Sequence, residues 1–384
     1  MRCDSVEIDP AYPDLTVPPV GLPSAPKEVE LQLTGRCNLS CRYCYYADSM
    51  KNVKTEVTTE RWLEFFREMG SLGVQRVTLS GGEVFVRSDF FTLLDGIIAN
   101  KMRYKILTNG TLVTEDVVEA LASGKRRIRM DSVQVSIDGS CAEVHDQSRP
   151  PASFSRAVRG LRLLKGAGFP VTVRVTLNHH NIDDLDNIAR LLLEDIELDG
   201  FSTNGTEAMG NARCYGEAIM LTKSDKLRAM KALTRLNEEY NGRISAAAGP
   251  LAEARAFKDL EERVARGEKF KKGRGKLSSC GGVFNKMAVL HDGTMVPCNM
   301  LPTLVMGVIG MHPLKDAWQK SPAINAVRRR RDVPLTALST CRDCSYAGFC
   351  AGGCPASVMA ETGQLLGRDV RGCYRVHIGE EVIR

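Results

Sequence analysis

Leu31-Gln32-Leu33-Thr34-Gly35-Arg36-Cys37-Asn38-Leu39-Ser40-Cys41-Arg42-Tyr43-Cys44 is the stretch on which the reading of this 384-residue chain turns. Its opening residues complete an alternating apolar–polar stretch at 29–33 that predicts a β-strand. The cysteines follow on the loop past that strand's C-terminal end, spaced C-x3-C-x2-C. Three thiolates on one short loop can hold three corners of a cubane iron–sulfur cluster, which leaves the fourth iron without a protein ligand. An open iron is a coordination position of a kind that electron-transfer clusters avoid. The competing reading, zinc, wants a fourth ligand close by, and none of the six histidines lies within a hundred residues of Cys44.

Outward from this loop the chain alternates short strands with helical patterns. Further strands are predicted at 77–79, 104–107, 133–137 and 171–175, with a weaker one at 200–203, and helices near 58–70, 89–100, 114–123, 154–167 and 183–194. Six βα units with short connections imply a parallel sheet with helices outside it. Eight units close a full barrel, so six predict an α/β fold with an open, partial (β/α)6 parallel barrel. Its chemistry belongs at the C-terminal ends of the strands. Short polar segments stand at those ends: Ser80-Gly81-Gly82-Glu83, Thr108-Asn109-Gly110, Ser136-Ile137-Asp138-Gly139, then Arg149, and more weakly Asn178. Glycines expose backbone groups to a ligand, and Glu83 offers a carboxylate to an ammonium.

Cys37, Cys41 and Cys44, with an aromatic residue before the last cysteine, resemble the signature of the radical S-adenosylmethionine (radical SAM) enzymes. The resemblance extends in order and spacing over residues 28–210. It implies that Cys37, Cys41 and Cys44 hold a [4Fe–4S] cluster whose open iron chelates SAM. It implies further that Gly81, Gly82 and Glu83 meet the methionyl ammonium, that Asn109, Ser136 and Asp138 line the cofactor, with the ribose and carboxylate near Ser136 and Asp138, and that Arg149 meets the carboxylate. An external electron, from a flavodoxin- or ferredoxin-type reductant, then cleaves SAM to a 5′-deoxyadenosyl radical that takes a hydrogen from the substrate.

The other cysteines crowd the C-terminal end. Seven of the 13 fall between Cys280 and Cys373, and in a reducing compartment such clustering argues for metal over disulfides. Their order is Cys280-x12-Gly293-x4-Cys298, a gap, Cys341-x2-Cys344-x5-Cys350-x3-Cys354, then Cys373. This order resembles the SPASM domain of radical SAM peptide- and protein-modifying enzymes; a pair of zinc ribbons is the competing reading. The resemblance assigns Cys280, Cys298 and Cys354 to a nearer auxiliary cluster and Cys341, Cys344, Cys350 and Cys373 to a farther one, for three [4Fe–4S] clusters in all. The nearer set lacks a fourth cysteine between Gly281 and Ala288. Either its cluster has an open iron or a remote residue completes it, Cys214 being one candidate. Cys214 is alternatively a hydrogen-atom donor to a substrate radical, while Cys3 and Cys141 read as half-buried free thiols.

The organisation expected is an extended proline-rich arm (1–27), the radical SAM partial barrel (28–214), a charged helical bridge without strands (215–276), and a small cysteine-rich iron–sulfur domain (277–384). No run approaches the ~18 consecutive apolar residues of a membrane span, and residues 1–7 lack the pattern of a signal peptide, which predicts a cytoplasmic protein. A net charge of +6 is too mild for a nucleic-acid binder. The basic runs 125–127, 269–276 and 328–331 read as solvated surface, or as contacts for an acidic reductant or leader peptide.

The leading functional expectation is a maturase of a ribosomally synthesised precursor peptide, forming an oxidative thioether or carbon–carbon crosslink. No ~80-residue leader-binding domain precedes the first strand, so leader recognition falls to this chain's own elements or to a separate protein. A peptide epimerase using Cys214, an enzyme acting on a cofactor or heme precursor, and a non-catalytic iron–sulfur electron carrier are the alternatives.

Overall fold

The computed structural model describes residues 17–50 and 56–374. Cys3 and most of the proline-rich arm therefore lie outside the described residues. The chain forms two compact units, one of Lys27–Ala254 with Val289–Gly293, the other of the described parts of Met1–Pro26, Arg255–Ala288 and Thr294–Arg384.

The first unit is built on parallel strands β1 (Glu28–Thr34), β2 (Arg76–Gly81), β3 (Arg103–Thr108), β4 (Met130–Ser136), β5 (Val171–Leu177), β6 (Phe201–Gly205) and β7 (Ile244–Ala246). They lie side by side in chain order. Alternation makes the sheet two-faced: Val133, Val135, Val173 and Val175 are buried beneath the helix Ser153–Gly166, while Ser132, Gln134, Thr172 and Arg174 point to the other face. The helix Thr59–Ser71 packs Trp62, Phe65, Phe66 and Met69 inward, and the Thr58 hydroxyl caps it by accepting from the Arg61 amide. This is the partial barrel that six βα units predict, with one strand added. The stretch 215–276 was expected to contain no strand, yet β7 pairs with β6 through Phe201–Ile244, Ser202–Ser245 and Thr203–Ala246. Three residues between charged helices are too few to show a two-residue period.

In the second unit β9 (Thr294–Val296) lies beside β8 (Lys286–Val289) and pairs antiparallel with β10 (Gly307–Val308). Around them stand the helices Leu314–Lys320, Pro322–Arg329 and Pro355–Thr362. Trp318 is buried, its indole N–H donating to the Pro23 carbonyl at 3.0 Å. The basic run 328–331 departs from its expected solvation. Arg328 and Arg330 are fully buried, because the inward face of the helix Pro322–Arg329 and the turn after it carries their stems into the core. The runs at 125–127 and 269–276 are largely exposed, as expected.

Gly160, in the helix over β4 and β5, lies where any Cβ would overlap the Gly110 carbonyl oxygen of the loop after β3, whereas Gly166 in the same helix faces open space. Gly160→Ala is expected to destabilise the chain by about 1–3 kcal/mol through this overlap. Gly166→Ala is expected to be neutral or slightly stabilising. Urea unfolding of the two variants checks this, and equal midpoints would overturn the packing argument.

Candidate active site

The cysteine loop is held by the ends of other strands. The Gly82 amide donates to the Thr34 carbonyl at 2.8 Å, and the Glu83 amide to that of Arg36 at 2.9 Å. A Cβ on Gly82 would overlap the Arg36 carbonyl, and Gly81, at φ +133°, abuts Thr34. These glycines thus serve a close backbone approach between two loops. From the opposite side the Asn211 amide donates to the Cys44 carbonyl at 3.0 Å and its side chain to the Cys41 carbonyl at 2.9 Å. The Arg42 amide donates to the Ser148 carbonyl at 2.9 Å, and Glu56 accepts from Thr34 Oγ1 at 2.6 Å and the Gly35 amide at 2.9 Å.

Several donors aim at the sulfurs. The Leu39 amide approaches Cys37 Sγ at 3.4 Å, Asn109 Nδ2 the same sulfur at 4.0 Å, and Arg149 Nη1 approaches Cys41 Sγ at 3.8 Å. Burial pushes the Cys37 thiol up to about 12 and the Cys44 thiol up to about 11, and raises Cys41 as well, with Arg149 opposing. Buried thiols of this kind are thiolates when a metal takes the proton's place. Among the described residues no three His, Cys, Asp or Glu side chains are placed to hold a single metal ion. An all-sulfur donor set with N–H groups directed at it fits an iron–sulfur cluster.

Behind the loop lies a buried polar network. Asp138 is fully buried; Oδ2 accepts from Arg149 Nε at 2.5 Å and from the Tyr43 hydroxyl, and Oδ1 from the Thr176 amide at 2.7 Å. The Asp138 amide donates to His145 Nδ1 at 3.1 Å, and Asn181 Nδ2 to the Asp138 carbonyl at 3.0 Å. The predicted Asp138 and Arg149 thus meet as an ion pair beside Cys41. Among the described residues Arg149 Nη2 has no hydrogen bond. Tyr43, noted only as an aromatic residue of the motif, and His145, which carries no sequence signal, belong to this network.

Glu83 is 1% exposed. Its Oε1 accepts from Thr108 Oγ1 at 2.8 Å and the Phe85 amide at 3.3 Å, and its Oε2 from the Asn109 amide at 2.8 Å. It ties the loop after β2 to the loop after β3, which leaves one lone pair of Oε2 for a ligand. Asn109 reaches both Cys37 and Asn38, the latter at 2.9 Å. Ser136 is half-buried at the end of β4. Asn178 is fully buried in its own turn, bonded to Thr176, His180 and Asn181. Cys214 is exposed on the short helix Asn211–Tyr215, the one whose Asn211 grips the cysteine loop.

In the second unit Cys341, Cys344, Cys350 and Cys373 line one cavity together with Arg368 and Asp369. Burial raises the Cys341 and Cys350 thiols. Of the other three, Cys280 sits at a left-handed φ of 61° and is exposed, as is Cys354, and Cys298 is half-buried. The Ser278 amide donates to the Ala351 carbonyl at 2.6 Å and so draws the Cys280 and Cys354 segments together.

Residues 31–192 match the radical SAM superfamily, and residues 280–345 match SPASM, an iron–sulfur cluster-binding domain. The chain is 29% identical over 363 residues to the AdoMet-dependent heme synthase of Methanosarcina barkeri, covering 93% of this chain and 99% of that protein. It is 25% identical over 373 residues to the PqqA peptide cyclase of Ruegeria pomeroyi, covering 93% and 88%. Among solved structures it resembles Streptococcus suis SuiB bound to precursor peptide SuiA, with a TM-score of 0.67 at 18% identity, over 91% of this chain and 76% of SuiB.

Burial, aided by the Arg149 charge, pushes His145 down to about 4. The folded imidazole stays neutral where an unfolded one, with its ordinary value near 6.5, takes a proton. The stability this contributes is complete above about pH 6.5 and lost as the pH falls towards 4. His145→Asn is therefore expected to flatten the pH dependence of unfolding free energy in that window, as read by urea titration. Parallel wild-type and variant curves would contradict it.

Proposed function

Since the chain belongs to the radical SAM superfamily and to its SPASM subfamily, we propose that it is an oxidative peptide maturase, which joins two positions of a ribosomally made precursor by a thioether or carbon–carbon bond. When bound, a reduced cluster with one open iron supplies the reductive cleavage of SAM and a 5′-deoxyadenosyl radical. Cys37, Cys41 and Cys44 would hold that cluster. The loop of Gly81, Gly82 and Glu83 would receive the methionyl ammonium, and Arg149, fixed through Asp138 and Tyr43, would present Nη2 to the carboxylate. Asn109 and Ser136 would fix the remainder of the cofactor from the ends of β3 and β4, and the buried Asp138, expected as a direct contact, would act through Arg149 instead. The site's task is to aim one substrate C–H bond at the reactive carbon while excluding water.

The observation that carries this reading is the second cysteine array. Crosslinking removes two hydrogens from the substrate; one leaves as an atom, the other as a proton and an electron. Cys280, Cys298 and Cys354, and Cys341, Cys344, Cys350 and Cys373, would hold two auxiliary [4Fe–4S] clusters able to take that electron. Similarity to the PqqA peptide cyclase over 93% of the chain supports a peptide substrate. A flavodoxin- or ferredoxin-type reductant is the matching electron donor, and a separate leader-binding protein a fitting partner. Similarity to the heme synthase along 99% of that protein supports a second reading, in which the substrate is a heme precursor.

Anaerobically reconstituted protein given SAM and dithionite is expected to release 5′-deoxyadenosine, and Cys37→Ala to abolish it; release without the thiol would overturn the cluster assignment. A precursor peptide encoded beside the gene and co-expressed with it should lose the mass of two hydrogens, with Cys214→Ala unimpaired. Zero mass change with solvent deuterium incorporated would replace crosslinking by epimerisation. An untouched peptide alongside turnover of an iron porphyrin would select the second reading.

A further inference from the structure

Arg330 is fully buried in the second unit, yet among the described residues it forms no ion pair. Its Nη1 donates to the Ser278 carbonyl and its Nη2 to the Gly367 carbonyl at 3.3 Å, and Nε is left without a partner. Arg328, also fully buried, is treated the same way. Nε donates to the Val283 carbonyl at 2.9 Å, Nη1 to the Trp318 carbonyl at 2.7 Å and Asn325 Oδ1 at 3.0 Å, and Nη2 has no partner. Its guanidinium lies over the Trp318 ring, 4.2 Å from the centroid. Carbonyls and a ring face supply partial charges only. Burial accordingly pushes both guanidinium groups down to about 10. A buried cation without a counter-anion is a costly arrangement that a fold keeps when an anion arrives from elsewhere.

The surroundings indicate which anion. Ser278, held by Arg330, is two residues before Cys280; its amide bonds to Ala351, three residues before Cys354. Val283, held by Arg328, is in the turn that begins after Cys280. Cys354 and Asp369 lie near enough to Arg330 for negative charge on either to favour its charged form. Asp369 is already engaged by the Arg371 and Gly372 amides, at 3.0 and 2.8 Å.

We propose that Arg330, seconded by Arg328, is the built-in counter-charge of the auxiliary cluster bound by Cys280, Cys298 and Cys354, and sets that cluster's reduction potential. Thiolates and cluster together are anionic, and uptake of one electron adds a further negative charge. Nearby buried cations favour the reduced form and raise the potential. This makes the cluster a better acceptor for the electron that a substrate radical releases. Both arginines are positioning residues: they act through the cluster and touch neither SAM nor substrate. The inference rests on the cysteine assignment under the proposed function, which is checked separately by iron content: Cys354→Ala must lower iron per chain.

The test is an EPR-monitored redox titration of the anaerobically reconstituted full-length holoenzyme. Arg330→Gln removes the charge while keeping a donor, and is expected to shift one cluster's midpoint negative by about 59 mV, tenfold in a one-electron equilibrium. Arg330→Lys keeps the charge and is expected to stay near wild type. Arg328→Gln is expected to shift the same signal less, and supplies the measurement if Arg330→Gln fails to load iron. Unchanged midpoints in iron-replete Gln variants would overturn the proposal. So would a Lys variant displaced as far as Gln, which would assign the effect to shape.

Discussion

Two hydrogen bonds between loops, from the Gly82 and Glu83 amides to the Thr34 and Arg36 carbonyls, lock the end of β2 against the start of the cysteine loop. They form because parallel β1 and β2 pair evenly to Gln32–Ser80 and then shift by one residue, so that Thr34 meets Gly81, and because no Cβ stands at Gly82 to separate the backbones. Once that approach is made, Cys37 lies beside Asn109 on the next strand end, and Glu83 reaches across to Thr108. The helix after β6 closes on Cys41 and Cys44 from the other side. The three thiols are thus carried on a loop held by the ends of several strands.

Charge is handled differently in the two units. Near Cys41 the buried guanidinium of Arg149 is matched by Asp138, and Tyr43 and the Thr176 amide fill the remaining acceptor positions of that carboxylate. The pair is complete and holds Arg149 in one orientation. In the segments next to Cys280 and Cys354 two guanidinium groups are buried against carbonyls, and among the described residues neither pairs with a carboxylate. A complete pair fixes geometry; an uncompensated cation leaves a field, which suits a group whose charge changes by one electron.

The sequence spoke most clearly where periodicity was long or a motif dense. Six strands of the parallel sheet and the cysteine spacing of the first loop were legible because apolar periodicity, helical spacing and cysteine spacing are local signals. The short β7 was not, since three residues carry no period and its strand character comes from pairing with β6. The arginine run 328–331 misled for a related reason: composition reports charge, and burial of Arg328 and Arg330 depends on Trp318 and on carbonyls far away in sequence. Glu83 was legible as a strand-end carboxylate, but its two donors from the end of β3, the Thr108 hydroxyl and the Asn109 amide, were not. His145 enters the Asp138 network only through the turn that follows β4, which residue type alone does not announce.

On the proposed function, a cluster on Cys37, Cys41 and Cys44 would keep one iron open to the amino and carboxylate groups of the cofactor. The most direct measurement is electron–nuclear double resonance on the reduced, full-length holoenzyme with SAM carrying 15N in its amino group and 17O in its carboxylate. Hyperfine coupling from both labels to the cluster is the result this account predicts. A reduced, iron-replete cluster that shows neither coupling at saturating SAM would contradict it.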